Sequence, residues 1–262
     1  MSLSFATPVM VFDIETIPDI EGGTRLYDLK GLEPAAAAKS MFQMRLQKTG
    51  REFLPHHLQR ICAISVVLAT REHIKVWSLG DESSDEAELI QRFYDGLERY
   101  SPTLVTWNGG GFDLPVLHYR TLRHGIAAPR YWEMGDEDKA FRYNNYLSRY
   151  HWRHVDLMDV LAGFSPRANA PLDEIATLLG FPGKMGMDGS KVWEAWLAGD
   201  LAGIRAYCET DVLNTYLVYL RFEAMRGRLG EAALSGELQR LKDWLENAEG
   251  EHFQQFLKSW QG

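Results

Sequence analysis

No apolar run in the sequence is long enough to cross a bilayer, so a membrane is not an expected partner. The opening segment MSLSFATPVM lacks the basic stretch and the long apolar stretch of a secretory signal. Cysteine is scarce: Cys62 and Cys208 are the only two in 262 residues. Both fall in apolar, regular-looking segments, so they read as buried free thiols in a reducing compartment, the cytoplasm, rather than as a disulfide. An excess of positive charge is also missing. The formal net charge is −8, which argues against a polyanion held over the whole surface but leaves room for a local basic track, or for carboxylates that a metal neutralises. There is no internal repeat and no low-complexity tract beyond one AAAA. Hydrophobic residues make up 45% and charged residues 24%, the balance of an ordinary globular chain. Its length allows one large domain or two small ones around a sizeable core.

The pattern reads as α/β. Runs rich in β-branched and aromatic residues predict strands at 9–15, 61–69 and 73–79, with TREH turning between the last two, and further strands at 104–108 and 152–157. SSDEAELIQRFYDGLERY predicts a helix capped by Ser84, with Leu89, Phe93, Leu97 and Tyr100 on one stripe. A second helix at 114–123 is stopped by Gly125. From Pro171 the chain is mostly helical, ending in ELQRLKDWLENAE. Residues 20–58 are too long for a hairpin turn and read as an insertion with one helix, 34–48.

Within VFDIETIPD, Asp13 and Glu15 stand two apart straight after an apolar run. Residues i and i+2 of a strand share a face, so the two carboxylates project together. They repel, and burying them unpaired is costly. Either the strand end is wet, or a divalent cation turns repulsion into coordination; hard oxygen ligands suit Mg²⁺ or Mn²⁺. TWNGGGFDLPVL joins a strand end, a glycine loop and a helix start. Asp113 there reads as a helix N-cap followed by proline, and the three glycines as a flexible turn or a place of close approach. In YCETDV, Tyr207 and Asp211 are four apart and therefore one turn apart on a helix that is apolar around most of its circumference. A buried aspartate needs a partner, and the tyrosine hydroxyl is the local candidate.

Taken in order, Asp-x-Glu on the first strand, Asn-x4-Asp after a later strand and Tyr-x3-Asp on a late helix resemble the DEDD superfamily of 3′–5′ exonucleases, in the branch with tyrosine in the third motif. The likeness is to the proofreading exonuclease domain of family B DNA polymerases, in a free-standing form. It runs from about 9 to 221, including HVDLMDVL and GFPGKMGMDGSKVWE, and leaves the last forty or so residues as a helical tail; the chain ends at Gly262, and no polymerase palm is expected to follow. The resemblance implies a ribonuclease H-like fold, a mixed five-stranded sheet flanked by helices. The domain would cover 1–225, with the insertion at 20–58, and the tail 226–262 would pack on it.

It also implies a site. Asp13 and Glu15 match the first motif, Asp113 the second and Asp211 the third; these four would be metal ligands, Asp113 through water, for two Mg²⁺ or Mn²⁺ ions. Tyr207 matches the residue that positions the attacking water, since with an unperturbed pKa of about 10 it is a poor base near neutrality. Two such ions roughly 3.5–4 Å apart serve both the attacking and the leaving oxygen of an in-line displacement. The implied partners are 3′ ends of single-stranded nucleic acid, DNA favoured. RNA ends, or a binding module without catalysis, are the alternatives, and a polymerase or repair partner stays open.

Lesser candidates to touch substrate are Thr16 beside Glu15, and Asn108 and Phe112 before Asp113, with core packing the other reading of Phe112. Lys184 or Lys191 could reach the scissile phosphate or be solvated loop residues. Asp156 and Asp159 are at the wrong spacing for the second motif, and His151 with His154 makes no expected zinc pair. KAFRYNNYLSRYHWRH, residues 139–154, has four basic residues including Arg142 and Arg149, interleaved aromatics and no acid. It reads either as a single-strand track or as partly core. The insertion offers Lys39, Arg45, Lys48, Arg51 and Arg60 for the same role.

Overall fold

The computed structural model describes residues 7–260. In chain order the elements are β1 (Val9–Pro18), α1 (Ile20–Tyr27), α2 (Pro34–Thr49), β2 (Gln59–Ala69), β3 (Ile74–Ser78), α3 (Glu86–Tyr100), β4 (Thr103–Thr106), α4 (Asp113–His124), α5 (Pro129–Trp132) and β5 (His154–Asp156). Helices follow to the end: α6 (Leu157–Leu161), α7 (Leu172–Leu178), α8 (Val192–Leu197), α9 (Leu201–Met225), α10 (Glu231–Asn247) and α11 (Glu251–Ser259). The sheet order is β3-β2-β1-β4-β5. β1 is antiparallel to β2 and parallel to β4, and β4 is parallel to β5. This is the mixed five-stranded, helix-flanked α/β sheet of the ribonuclease H-like kind that the motifs implied.

Strand alternation divides the core. Val9 and Val11 of β1 join Val67, Val105 and Val155 on the face covered by α9, whose Val212, Leu213, Tyr216, Leu217 and Leu220 are fully buried. Met10, Phe12 and Ile14 point the other way, into Ile90, Phe93 and Leu97 of α3 and Leu114 and Leu117 of α4. The helix α9 is apolar around its circumference because it is sandwiched: the sheet lies on one side, and Leu241 and Leu245 of α10 with Phe253 and Phe256 of α11 lie on the other. The C-terminal helices therefore share the main core. No helix among the described residues is long and apolar enough to cross a membrane.

Three local expectations change. The insertion holds two helices, not one; α1 carries Gly22 and Gly23, which lower intrinsic helix propensity, and is held by the Asp19 cap, whose Oδ1 accepts from Gly22 N at 3.0 Å. Asp85, not Ser84, caps α3, accepting from Glu88 N at 2.8 Å, while the Ser84 hydroxyl accepts from Asp81 N at 3.0 Å and closes the preceding turn. One more helix, α11, follows ELQRLKDWLENAE.

Candidate active site

Asp13 and Glu15 lie on β1 opposite Ser65 and Ala63 of β2. They continue the row of Val9 and Val11 and so face α9. Beyond Glu15 the register slips: Thr16 pairs with Ile61, leaving Cys62 as an extra residue in β2. From α9, Cys208 reaches Asp13, its Sγ 3.5 Å from the backbone oxygen and 3.6 Å from Oδ2. Tyr207, the neighbour of Cys208 in the chain, lies close enough to Asp211, one turn on, for each to shift the other's pKa.

Asp113 enters along the sheet edge. β4 is short and pairs only with Val9–Val11, so beyond that point the β1 backbone has no strand on this side. The chain leaves β4, loops, and starts α4 there. Phe112, not Asp113, occupies the cap position, and Asp113 Oδ1 accepts from Ile14 N at 3.1 Å. That backbone group sits between Asp13 and Glu15.

The glycine loop is tight rather than slack. Asn108 takes a left-handed φ of 66°. A Cβ at Gly109 would overlap the Thr106 side chain, and one at Gly111 would lie 2.5 Å from Asn108 Oδ1. Asp156, at the end of β5, holds the loop from below, its two oxygens accepting from Asn108 N at 2.9 Å and Gly110 N at 2.8 Å. It also caps α6 through Asp159 N at 3.3 Å.

Burial raises the pKa of all four acids, and neighbouring carboxylates add to the rise at Asp13 and Glu15. Burial, then Asp113, Glu15 and Asp211, push Asp13 well above the carboxylate range, against a hydrogen bond from Cys208. Burial, then Asp211 and Asp113, do the same to Glu15. Burial lifts Asp113 to about 7, opposed by backbone N–H donors including Ile14. Burial lifts Asp211 to about 6, opposed by the Tyr207 hydroxyl and by the Lys184 charge. Burial and then Asp211 drive the Tyr207 phenol far above its usual value, so it keeps its proton.

A divalent cation fits this donor set. Glu15 and Asp113 are buried, and no lysine, arginine or histidine forms an ion pair with any of the four acids among the described residues. One ligand atom each from Asp13, Glu15 and Cys208 lies within 4.8 Å of the others. The two carboxylates of this group, without a countercharge, are hard oxygen donors of the kind a divalent ion takes, while the Cys208 thiol stays protonated beside them.

The other candidates are placed less uniformly. Thr16 donates to Gln59 Oε1 at 3.0 Å. Phe112 is half-buried and packs against Phe53 and His56 of the insertion. Lys184 is exposed, 3.8 Å from Asp188, and close enough to Asp211 to lower its pKa. Lys191 is exposed at a turn. Within 139–154, Phe141 and Tyr146 are core residues, and Arg153 donates to Asn144 O and lies over the Phe141 ring. Arg149 is gripped by Asp159 through bonds of 2.6 and 3.1 Å, so it is not a free cation. Arg142, Tyr143 and Tyr150 are exposed. His151 and His154 have separate partners, Asn145 N and Thr106 Oγ1. Sequence reasoning missed Cys208 and Asp156 as parts of the site. Neither carries a local signal, since each acts across the sheet on a residue distant in sequence.

Known proteins resemble this chain over part of its length or of theirs. Residues 51–260 match the family described as "predicted 3′–5′ exonuclease related to the exonuclease domain of PolB". The match takes in Asp113, Tyr207, Asp211 and the C-terminal helices left out of the motif-based resemblance, and it begins after Asp13 and Glu15. A DNA polymerase of Archaeoglobus fulgidus is 24% identical over 139 residues, which are 52% of this chain and 17% of that protein. The family B DNA polymerase of Pyrobaculum calidifontis superposes with a TM-score of 0.49 and 18% identity over 97% of this chain and 27% of that one. The chain thus spans well under half the length of both relatives.

Proposed function

The chain belongs to the family of predicted 3′–5′ exonucleases related to the exonuclease domain of PolB, and from that premise we propose that it hydrolyses single-stranded nucleic acid, DNA by preference, from the 3′ end to nucleoside 5′-monophosphates. The observation that carries this reading is the convergence of four buried or half-buried carboxylates from three distant segments: Asp113 and Asp211 lie close enough to Asp13 and Glu15 to raise their pKa values, and no cation forms an ion pair with any of the four among the described residues. Asp13, Glu15 and Asp211 would hold one divalent ion, and Asp113 would support a second. When bound, Mg²⁺ or Mn²⁺ supplies a nucleophilic water near neutral pH and charge stabilisation of the leaving 3′-oxygen.

The chain's own residues account for the rest. The reaction adds the oxygen of water to the terminal phosphorus and breaks its bond to the 3′-oxygen, which leaves with a proton. Tyr207 keeps its phenolic proton, so it acts by orienting the water, not by deprotonating it. Asp211, one turn away on the same helix, is the carboxylate beside that hydroxyl. The Asp156-held loop sets the backbone that leads into Asp113. Lys184, whose charge lowers the pKa of Asp211, would be the residue to meet the scissile phosphate. Incubating the protein with end-labelled single-stranded DNA or RNA, in Mg²⁺, Mn²⁺ or EDTA, tests the proposal. Stepwise shortening from the 3′ end that EDTA abolishes is expected; intact DNA and RNA in Mn²⁺ would refute it.

A further inference from the structure

Glu209 of α9 is 9% exposed and has no part in the chemistry above, yet both of its carboxylate oxygens are engaged. Oε1 accepts from the backbone N–H of Ser78 at 2.7 Å and from the Ser78 hydroxyl at 2.7 Å, at the end of β3. Oε2 lies 2.6 Å from His252 Nε2 of α11. We propose that Glu209, braced by His252 from the last helix, is a positioning residue for the carboxylate site: it fixes how α9 seats on the sheet, and so where Asp211 stands against Asp13 and Glu15, an inference that rests on the nuclease reading above.

Two contacts lead from Glu209 to the metal-binding face. The Ser78 hydroxyl donates its one proton to Glu209, so at 2.8 Å it accepts from the Ser65 hydroxyl of β2. Ser65 is fully buried and stands opposite Asp13 in the β1–β2 pairing. Cys208, next to Glu209 in the helix, places its Sγ 3.5 Å from the Asp13 backbone oxygen. A shift of α9 that takes Glu209 off Ser78 therefore takes Cys208 off Asp13 and carries Tyr207 and Asp211 with it.

Helix spacing explains the grip. Arg205 and Glu209 are four apart and share a face, as Tyr207 and Asp211 do, roughly half a turn round the helix. The Arg205 guanidinium donates to Leu79 O at 3.0 Å, Ser78 O at 3.2 Å and Gly80 O at 2.9 Å. One strand end thus offers carbonyls to Arg205 and an N–H with a hydroxyl to Glu209, and a helix slid by one residue would satisfy neither. The turn before α11 is shaped for the brace. Gly250 has a φ of 121°, and a Cβ there would lie 2.8 Å from His252 Cε1. Without His252, one oxygen of a buried carboxylate would lose its partner.

The experiment titrates Mn²⁺ into the full chain by calorimetry without substrate, and follows 3′ shortening in parallel. Glu209→Ala and His252→Ala should bind Mn²⁺ roughly tenfold more weakly, the low end of the effect of outer-shell partners. At fixed Mn²⁺ their kcat should fall while KM for the strand holds. Glu209→Gln keeps an oxygen for Ser78 and should stay near the wild type. Leu97→Ala, in the core on the other face of the sheet, is a destabilised control whose Mn²⁺ affinity should not change. Wild-type affinity in both alanine variants at Glu209 and His252, a Gln variant as weak as the Ala one, or an equal loss in Leu97→Ala overturns the positioning role and leaves the nuclease standing. If the affinities follow the expected order in a protein that digests nothing, the positioning role survives and the nuclease reading falls. A wild type that binds no Mn²⁺ overturns both.

Discussion

The backbone N–H of Ile14 donates to Asp113 Oδ1 at 3.1 Å, so the carboxylate at the start of α4 is bonded between the two acids of β1. This one contact joins two motifs 99 residues apart. It also separates the charge of Asp113 from its role as an acceptor. Asp113→Asn can keep the bond and lose the charge. Asp113→Ala loses both and leaves a buried N–H without a partner, a cost of about 1–3 kcal/mol. The metal-free Asn variant should therefore melt at or above the wild type and the Ala variant below the Asn one, while both lose exonuclease turnover. Denaturation in EDTA with a parallel activity assay checks both halves.

Stability without metal should fall with pH in a defined window. His118 and His154 are pushed down by burial to about 4, so between there and their unfolded pKa of about 6.5 the unfolded chain binds more protons and stability rises with pH. Above about pH 6.5 that contribution is complete. Asp211, at about 6, Asp113, at about 7, and Asp13 and Glu15, both raised well above the carboxylate range, bind more protons folded than unfolded from about pH 4 upward. Their effect has the opposite sign, and stability falls as pH rises through those values. Once the histidine contribution is complete, melting in EDTA should drop as pH rises from about 6.5 through the Asp113 value of about 7. Saturating Mn²⁺ should flatten or reverse the slope, because a ligand of the ionised acids stabilises by mass action. A flat EDTA profile across that window would contradict the shared burial of the four carboxylates.

Period-two alternation in VMVFDIET was enough to place Asp13 and Glu15 on one face, and the four-residue spacing of Tyr207 and Asp211 was enough to place them together, because both depend on local geometry. Long-range pairings were not legible. Nothing near Asp113 indicates that it accepts from Ile14 rather than capping its own helix, and nothing near Asp156 shows that it steadies the loop after β4. The segment 139–154 shows the limit most clearly: its alternation of basic and aromatic residues suits a nucleic-acid track, yet tertiary packing takes Phe141 and Tyr146 into the core and pairs Arg149 with Asp159.

Tyr207→Phe isolates the phenol. The ring stays in its apolar cluster with Ile17 and Ile204, and the four carboxylates keep their places. Calorimetric titration with Mn²⁺ should give nearly wild-type affinity. Turnover should fall on the order of a hundredfold, the scale of a misplaced reactant. A variant as fast as wild type in single-turnover cleavage would remove Tyr207 from the chemistry.

Arg120 holds the helix that presents Asp113. It is 2% exposed, and its guanidinium donates to Asp19 Oδ2 at 2.5 Å and to Glu86 at 2.7 and 2.5 Å. Glu86 in turn accepts from Ile61 N at 2.7 Å and is 2.8 Å from His124. One side chain thereby ties α4 to the α1 cap, to α3 and to the start of β2. Arg120→Met keeps most of the volume but leaves Asp19 and Glu86 buried without their shared cation. Breaking a buried pair in this way costs on the order of 3–5 kcal/mol. Because Glu86 retains His124 and the Ile61 amide, and Asp19 retains Gly22 N with Arg123 at 3.8 Å, the expected loss lies at the lower end of that range. Urea denaturation at neutral pH measures it. Activity tests the connection to the site: below the unfolding transition the variant should bind Mn²⁺ more weakly than wild type, because Asp113 rides on a helix that has lost its anchor. Wild-type metal affinity in a destabilised variant would restrict Arg120 to holding the fold.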